Sequence, residues 1–248
     1  MPKRRHQDQQ AEPEEPEASD EAFGTKRYWD SHYAKYATQQ AADDTDEWYL
    51  AYTGGLDEIL SGAMSRGRDS AVLDIGCGTS RMLRDMRESG HVGELVGCDF
   101  SGVELARRCN AGLDIAIKEA DCRSCAAVLG RDAFDLILDK GTVDALLCDE
   151  DEGEENVRRE CGQVREMLRV GGTFCLVTPK YPEEEEEDEG AFEAGDVDGF
   201  AGWLQAAIAG LSGRATLHEA GGAGSAAPEG YRCAYTRTLH PQAGSEAF

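Results

Sequence analysis

The 248-residue sequence contains no apolar run that approaches the roughly 20 residues of a membrane-spanning helix, so no membrane span is expected. Its basic N-terminal residues are not followed by an apolar segment, which argues against a secretory signal. Acidic residues follow instead, between Glu12 and Glu21, and these are untypical of a transit peptide. We therefore expect an intracellular protein and place it in the cytoplasm, with no membrane partner.

Basic residues are scarce, since 25 Lys and Arg stand against 49 Asp and Glu and give a formal net charge of −24. Binding to nucleic acid requires a local density of positive charge, so nucleic acid is not expected as a partner. The acidity suits a basic protein partner, although it serves solubility equally well. Acidic runs at 149–155 and 183–189 either steer a Lys-rich substrate or are solvated segments.

A disulfide framework and a metal site are both unexpected. The nine cysteines are an odd number, and several fall in predicted core strands. Cys122 and Cys125 have the spacing of a zinc-ligand pair, but no second pair accompanies them. We therefore predict free thiols and no bound metal.

Residues 1–22 have almost no apolar content and are predicted to form a disordered tail. The remaining residues, 23–248, have the length of a single domain, interrupted by an acidic insertion at 182–195. Apolar runs predict strands at 70–76, 94–100, 113–121, 133–141 and 171–179, and helices alternate with them at 79–90, 102–112, 123–129 and 154–169. This alternation predicts an α/β, Rossmann-like, doubly wound and mostly parallel sheet.

The last third of the chain departs from the alternation. Residues 197–211 have the pattern of an amphipathic helix. Two strands follow at 214–220 and 231–239, and the loop between them is too short to contain a crossover helix. We therefore expect the sheet to end in an antiparallel β-hairpin.

A glycine loop follows the first predicted strand, in the sequence Asp74-Ile75-Gly76-Cys77-Gly78. Ligands of open α/β sheets bind outside the carboxyl ends of the strands, where this loop lies. A dinucleotide site needs a third glycine, and Arg81 occupies that position. Asp74 would also repel a pyrophosphate, whereas it suits a ligand with an ammonium group, such as the methionine end of S-adenosylmethionine.

Two further acids end the second and third predicted strands. Asp99 is placed to accept hydrogen bonds from ribose hydroxyls, and Asp121 with its neighbour Cys122 is placed to contact an adenine amino group. Phe100, which follows Asp99, belongs to the same predicted cofactor site. One acid at a strand end is weak evidence, but three in succession beside a glycine loop form a specific pattern.

The residues from Asp74 to Gly78 resemble the first motif of class I S-adenosylmethionine-dependent methyltransferases, and Asp99 and Asp121 fall where that family places its ribose and adenine acids. The resemblance covers residues 70–180 and extends more loosely to 239. It implies a Rossmann-like fold and S-adenosylmethionine as the cofactor.

Three further segments resemble the methyltransferase-like enzymes that methylate lysine in elongation factor 1A. They are Tyr28-Trp29-Asp30 with Tyr33, then Trp48-Tyr49, then Leu138 to Leu146 with the sequence LDKGTVDAL. Val143 stands where that family more often has Leu. The resemblance implies a lysine acceptor on a basic protein such as elongation factor 1A.

Asp139 is our candidate for the catalytic, acceptor-facing polar group, and we also assign it to the cofactor site. Its alternative role is to begin a helix, since Asp is a strong N-cap. Trp29, Tyr33 and Trp48, with Tyr49, are expected to cover cofactor and acceptor, because aromatic faces hold methylammonium groups. The alternative for these rings is ordinary packing of an N-terminal helix.

Two other functions remain open at this point. A small-molecule methyltransferase would share every cofactor residue and differ in the acceptor pocket. A non-catalytic scaffold would be indicated by a degenerate glycine loop, which this sequence does not have. The substrate residue, the degree of methylation and the oligomeric state are not encoded in these motifs.

Overall fold

The computed structural model describes residues 23–37, 47–178, 213–219 and 233–239. The strands are β1 (Val72–Ile75), β2 (Leu95–Asp99), β3 (Ala116–Glu119), β4 (Phe134–Lys140), β5 (Leu168–Thr178), β6 (Gly213–Glu219) and β7 (Cys233–Leu239). The α-helices are α1 (Lys26–Ala37), α2 (Leu56–Ala63), α3 (Met82–Glu88), α4 (Val103–Cys109), α5 (Ala126–Leu129), α6 (Thr142–Leu147) and α7 (Gly153–Met167). None of the helices in these ranges is long and apolar enough to cross a membrane.

The strands form one sheet in the order β3-β2-β1-β4-β5-β7-β6. Strands β1 to β5 are parallel to their neighbours, and β7 runs antiparallel to both β5 and β6. The predicted Rossmann-like α/β class is confirmed. The predicted tail at 1–22, the acidic insertion at 182–195 and the helix at 197–211 lie outside the described residues.

The centre of the sheet is buried on both faces, as expected for parallel strands covered by helices. Every residue of β1 and of β4 is buried. Leu73 and Ile137 pack into one apolar cluster with α7, while Val72 and Leu136 pack into a second cluster with α2 and α3. Strand order reverses between β1 and β4, and ligands of open α/β sheets bind at this switch point.

Helix α1 packs against the carboxyl ends of the strands. The Ser101 hydroxyl, just before α4, donates a hydrogen bond of 2.6 Å to Asp30 of α1. Tyr33, one turn further along α1, is buried. The aromatic N-terminal segment therefore covers the end of the sheet where a ligand would bind.

Asp135 secures the opposite end of the sheet. One oxygen of its buried carboxylate accepts hydrogen bonds from the Ala71 backbone N–H and from Arg169, both at 2.8 Å. This contact joins the starts of β1, β4 and β5. Asp135 therefore has a structural role at the end of the sheet opposite the ligand-binding end.

Candidate functional site

A cavity lies at the carboxyl ends of β1, β2, β3 and β4. The empty space in it and in its open mouth is about 800 Å³. Its lining comes from the loops after four strands and from the N-terminal aromatic segment: Phe23, Gly24, Trp29, Tyr33, Trp48, Gly76, Cys77, Gly78, Thr79, Ser80, Asp99, Phe100, Ala120, Asp121, Cys122, Arg123, Lys140, Gly141, Thr142, Ala145 and Leu146.

The glycine loop forms one wall of the cavity. Gly76 and Gly78 have φ angles of +64° and +47°, in the left-handed region that favours glycine. A Cβ at Gly76 would overlap the Thr142 hydroxyl, which itself donates to the Ile75 carbonyl at 2.9 Å. A Cβ at Gly78 would lie 2.5 Å from the Tyr33 hydroxyl. Both glycines are therefore required by the backbone conformation and by close neighbours.

Asp99, at the end of β2, holds this loop. Its two carboxylate oxygens accept hydrogen bonds of 2.9 Å from the backbone N–H groups of Gly78 and Ser101. Burial raises the pKa of Asp99 to about 6, against the opposing effect of these N–H donors. Phe100 follows it in the cavity wall, with the Lys26 ammonium 5.8 Å from the ring centroid.

Asp74 lies beneath the glycine loop and is not among the residues that line the cavity. It is only 3% exposed, one residue before the end of β1. Burial raises its pKa to about 7, and neighbouring carboxylates add to this shift while Lys140 opposes it. Asp74 therefore lies beneath the loop, and its contact with the cofactor stays a prediction.

Asp121 and Cys122 line the cavity beyond β3, where Arg123 joins them. The Arg123 guanidinium lies 2.6 Å from one Asp121 oxygen and donates to the other at 2.9 Å. These hydrogen bonds hold the pKa of Asp121 below its ordinary value. Burial raises the pKa of the Cys122 thiol well above its ordinary value. The predicted adenine acid is thus at the cavity but already paired with Arg123, which the sequence analysis did not select.

Asp139 lies behind the cavity wall and does not line the cavity. It is fully buried, and its carboxylate accepts hydrogen bonds from the backbone N–H groups of Thr142 and Val143 at 3.0 and 3.2 Å. Burial and the neighbouring carboxyl group of Glu160 raise its pKa well above the ordinary value. Asp139, in β4, therefore holds the first backbone N–H groups of α6, and its contact with cofactor or acceptor stays a prediction.

Four aromatic rings of the N-terminal segment line the cavity, and that of Tyr33 lies against the glycine loop. Trp29 stacks on Tyr33 with a centroid distance of 5.8 Å and packs against Trp48 at 5.6 Å. Its indole N–H donates to the Phe23 carbonyl at 2.7 Å, and the Phe23 ring completes the wall. Tyr49 does not line the cavity; its ring lies against Gly141, where a Cβ would come within 3.1 Å of it.

Glu47 and Lys140 link this aromatic wall to the glycine loop. The Lys140 ammonium lies 2.7 Å from the Glu47 carboxylate and donates to the Trp48 carbonyl at 2.8 Å. Glu47 also accepts hydrogen bonds of 2.9 Å from the Ser80 hydroxyl and from the Arg81 backbone N–H. The sequence analysis did not identify Glu47, because all of these partners are remote in the sequence and no local pattern marks it.

Fold and site together define an enzyme of the Rossmann-like α/β class, with a cofactor cavity at the topological switch point. Residues 67–207 match a family model described as "Methyltransferase domain", and the chain belongs to that family.

Individual proteins resemble the chain over about two thirds of its length. The protein-lysine N-methyltransferase EFM4 of Saccharomyces cerevisiae is 29% identical over 180 residues, covering 66% of this chain and 78% of that protein. The EEF1A lysine methyltransferase 2 of Danio rerio is 28% identical over 170 residues, covering 66% and 72%. A human eEF1A lysine and N-terminal methyltransferase is 29% identical over 166 residues, and the match spans 64% of this chain but only 22% of that longer protein.

A solved structure shares the fold at low sequence identity. The SAM-dependent methyltransferase from Aquifex aeolicus superposes with a TM-score of 0.54 at 14% identity, covering 84% of this chain and 97% of that one.

Proposed function

We propose that this methyltransferase transfers a methyl group from S-adenosylmethionine to a lysine side chain of a protein, with elongation factor 1A as the leading candidate, in the cytoplasm. The observation that carries the proposal is the cavity lined by a glycine loop, Asp99 and four aromatic rings of the N-terminal segment. The aromatic rings suit a cationic methylammonium group, while the glycine loop and Asp99 suit a nucleoside.

The residues present fit S-adenosylmethionine. Gly76 and Gly78 give the backbone a close approach to a ligand, and Asp99 presents a carboxylate for ribose hydroxyls at the cavity wall. Phe100 and Cys122 supply apolar surface for the nucleoside, and a contact from Asp121 to adenine would be shared with Arg123. When bound, S-adenosylmethionine supplies an electrophilic methyl group on a sulfonium centre.

The chain's own residues must align the acceptor and exclude water. Alignment of two reactants supplies up to about 7–11 kcal/mol of the barrier in favourable cases, and no protein nucleophile is required. The acceptor amine must be neutral, although the pKa of a free lysine is about 10.4. Phe23, Trp29 and Trp48 desolvate the amine, which lowers its pKa.

Two observations support a protein acceptor over a metabolite. The similar proteins are named as protein-lysine or eEF1A lysine methyltransferases. In addition, the acidic segment 149–155 begins beside the cavity, because Asp149 packs against the lining residue Gly24. Negative charge at this position attracts a Lys-rich protein surface.

The test is transfer of labelled methyl from S-adenosylmethionine into a whole-cell lysate by wild type and by Asp99→Asn, after circular dichroism has shown that both are folded. We expect one labelled band at the size of an elongation factor with wild type and its loss with the variant. Label confined to small molecules would contradict the proposal in favour of a metabolite enzyme. Cofactor binding without any transfer would favour the scaffold.

A further inference from the structure

A buried cation lies in the wall of the proposed cofactor cavity. The Lys140 side chain is 4% exposed, and Lys140 is one of the residues that line the cavity. On the function proposed above, this cavity must accept a sulfonium cation. An uncompensated ammonium in a poorly hydrated wall would oppose its binding, because like charges repel strongly where the effective dielectric constant is low.

Glu47 supplies the compensating charge. Its carboxylate lies 2.7 Å from the Lys140 ammonium and is fixed by the Ser80 hydroxyl and the Arg81 backbone N–H. Other acids near Lys140 are poorer partners: burial raises the pKa of Asp74 to about 7 and that of Asp139 well above its ordinary value, which favours their protonated forms. Asp99 already accepts two backbone hydrogen bonds.

Glu47 also lies directly before Trp48, whose carbonyl accepts a hydrogen bond from the same Lys140 ammonium. The segment that brings the aromatic wall to the cavity therefore brings the compensating carboxylate with it.

We propose that Glu47 is a specificity-determining residue that neutralises Lys140 and so raises the affinity of the cavity for the cationic donor S-adenosylmethionine relative to its neutral product, S-adenosylhomocysteine. The inference rests on the proposed function, since it concerns the same cavity. It goes beyond it by assigning the discrimination between donor and product to one ion pair.

The experiment is isothermal titration calorimetry of S-adenosylmethionine and of S-adenosylhomocysteine with four variants of the full chain. In Glu47→Gln, we expect affinity for the cationic donor to fall about five-fold more than affinity for the neutral product. In Lys140→Met, we expect the opposite change in the ratio, because Glu47 is then the uncompensated charge. The double variant should restore a ratio close to that of wild type, and Glu58→Gln, on the exposed face of α2, should leave it unchanged.

Equal losses for both ligands in Glu47→Gln, together with an unchanged ratio in Lys140→Met, would show a purely structural ion pair and overturn the inference alone. Wild type that binds neither ligand would overturn the proposed function and the inference with it. If one single variant fails to fold, the other still tests the inference, because each has its own expected direction of change in the donor-to-product affinity ratio, and an unchanged ratio in it would overturn the inference.

Discussion

The buried carboxyl pair of Asp139 and Glu160 makes a quantitative prediction for the variant Glu160→Gln. Glu160 lies on α7, is fully inaccessible to solvent and has a pKa raised from 4.5 to about 7, chiefly by burial. Between the ordinary pKa of 4.5 and the folded-state pKa of about 7, Glu160 binds more protons in the folded state than in the unfolded state. The free energy of unfolding therefore falls as pH rises through this interval. A shift of this size corresponds to about 3 kcal/mol at full ionisation, at about 1.36 kcal/mol for each pKa unit.

Most of this loss falls between about pH 5 and about pH 8 and amounts to about 2–3 kcal/mol for Glu160 alone. Glutamine keeps the shape of the side chain but cannot ionise. We therefore expect the free energy of unfolding to fall less with rising pH in Glu160→Gln than in wild type, by at least about 2 kcal/mol over that interval.

Urea denaturation at the two pH values, followed by circular dichroism, measures this difference. Glu155→Gln, on the exposed face of the same helix, is the matched control and should change stability by less than about 0.5 kcal/mol at either pH. Parallel pH profiles for wild type and Glu160→Gln would refute the reasoning, because they would show that Glu160 titrates in the folded protein as it does in the unfolded chain.

Two further substitutions test the glycine loop and the end of the sheet at Asp135, and Gly62→Ala is the control for the glycine substitution. Gly76→Ala places a Cβ against the Thr142 hydroxyl at a φ of +64°, so we expect loss of cofactor binding by calorimetry and a lower melting temperature. Gly62→Ala, on α2 with no atom within 4 Å of the added Cβ, should preserve binding and stabilise the protein by up to about 1 kcal/mol. Asp135→Asn removes the charge that pairs with Arg169 at 2.8 Å, and we expect a loss of about 2–3 kcal/mol in urea denaturation; an unchanged midpoint would contradict a structural role for this carboxylate.

Much of the fold follows from local patterns in the sequence. Strands β1, β2 and β4 each contain a short group of apolar strand formers, so the prediction located each of them and erred only at the ends. Helix α6 was missed because it has six residues, too few for a helical period to show. The third strand was predicted to extend to 121 but ends at Glu119, so Asp121 belongs to the following turn.

The site was less predictable where contacts are remote in sequence. The prediction placed Gly76, Gly78, Asp99, Phe100, Asp121 and Cys122 together, and all of them line the cavity. Asp139 does not, because successive side chains of a strand point to opposite faces and its neighbour Lys140 occupies the cavity side of β4. Glu47 could not be found from local sequence, since its importance comes from Lys140 and Ser80 in other parts of the fold.

The most direct test of the central claim is incubation of purified elongation factor 1A with S-adenosylmethionine and either wild type or Asp99→Asn, followed by peptide mass spectrometry. We predict that wild type adds methyl groups to a lysine of the elongation factor and that the variant adds none. An elongation factor that remains unmodified, while the same enzyme preparation binds S-adenosylmethionine and labels a small molecule in a lysate, would contradict the account.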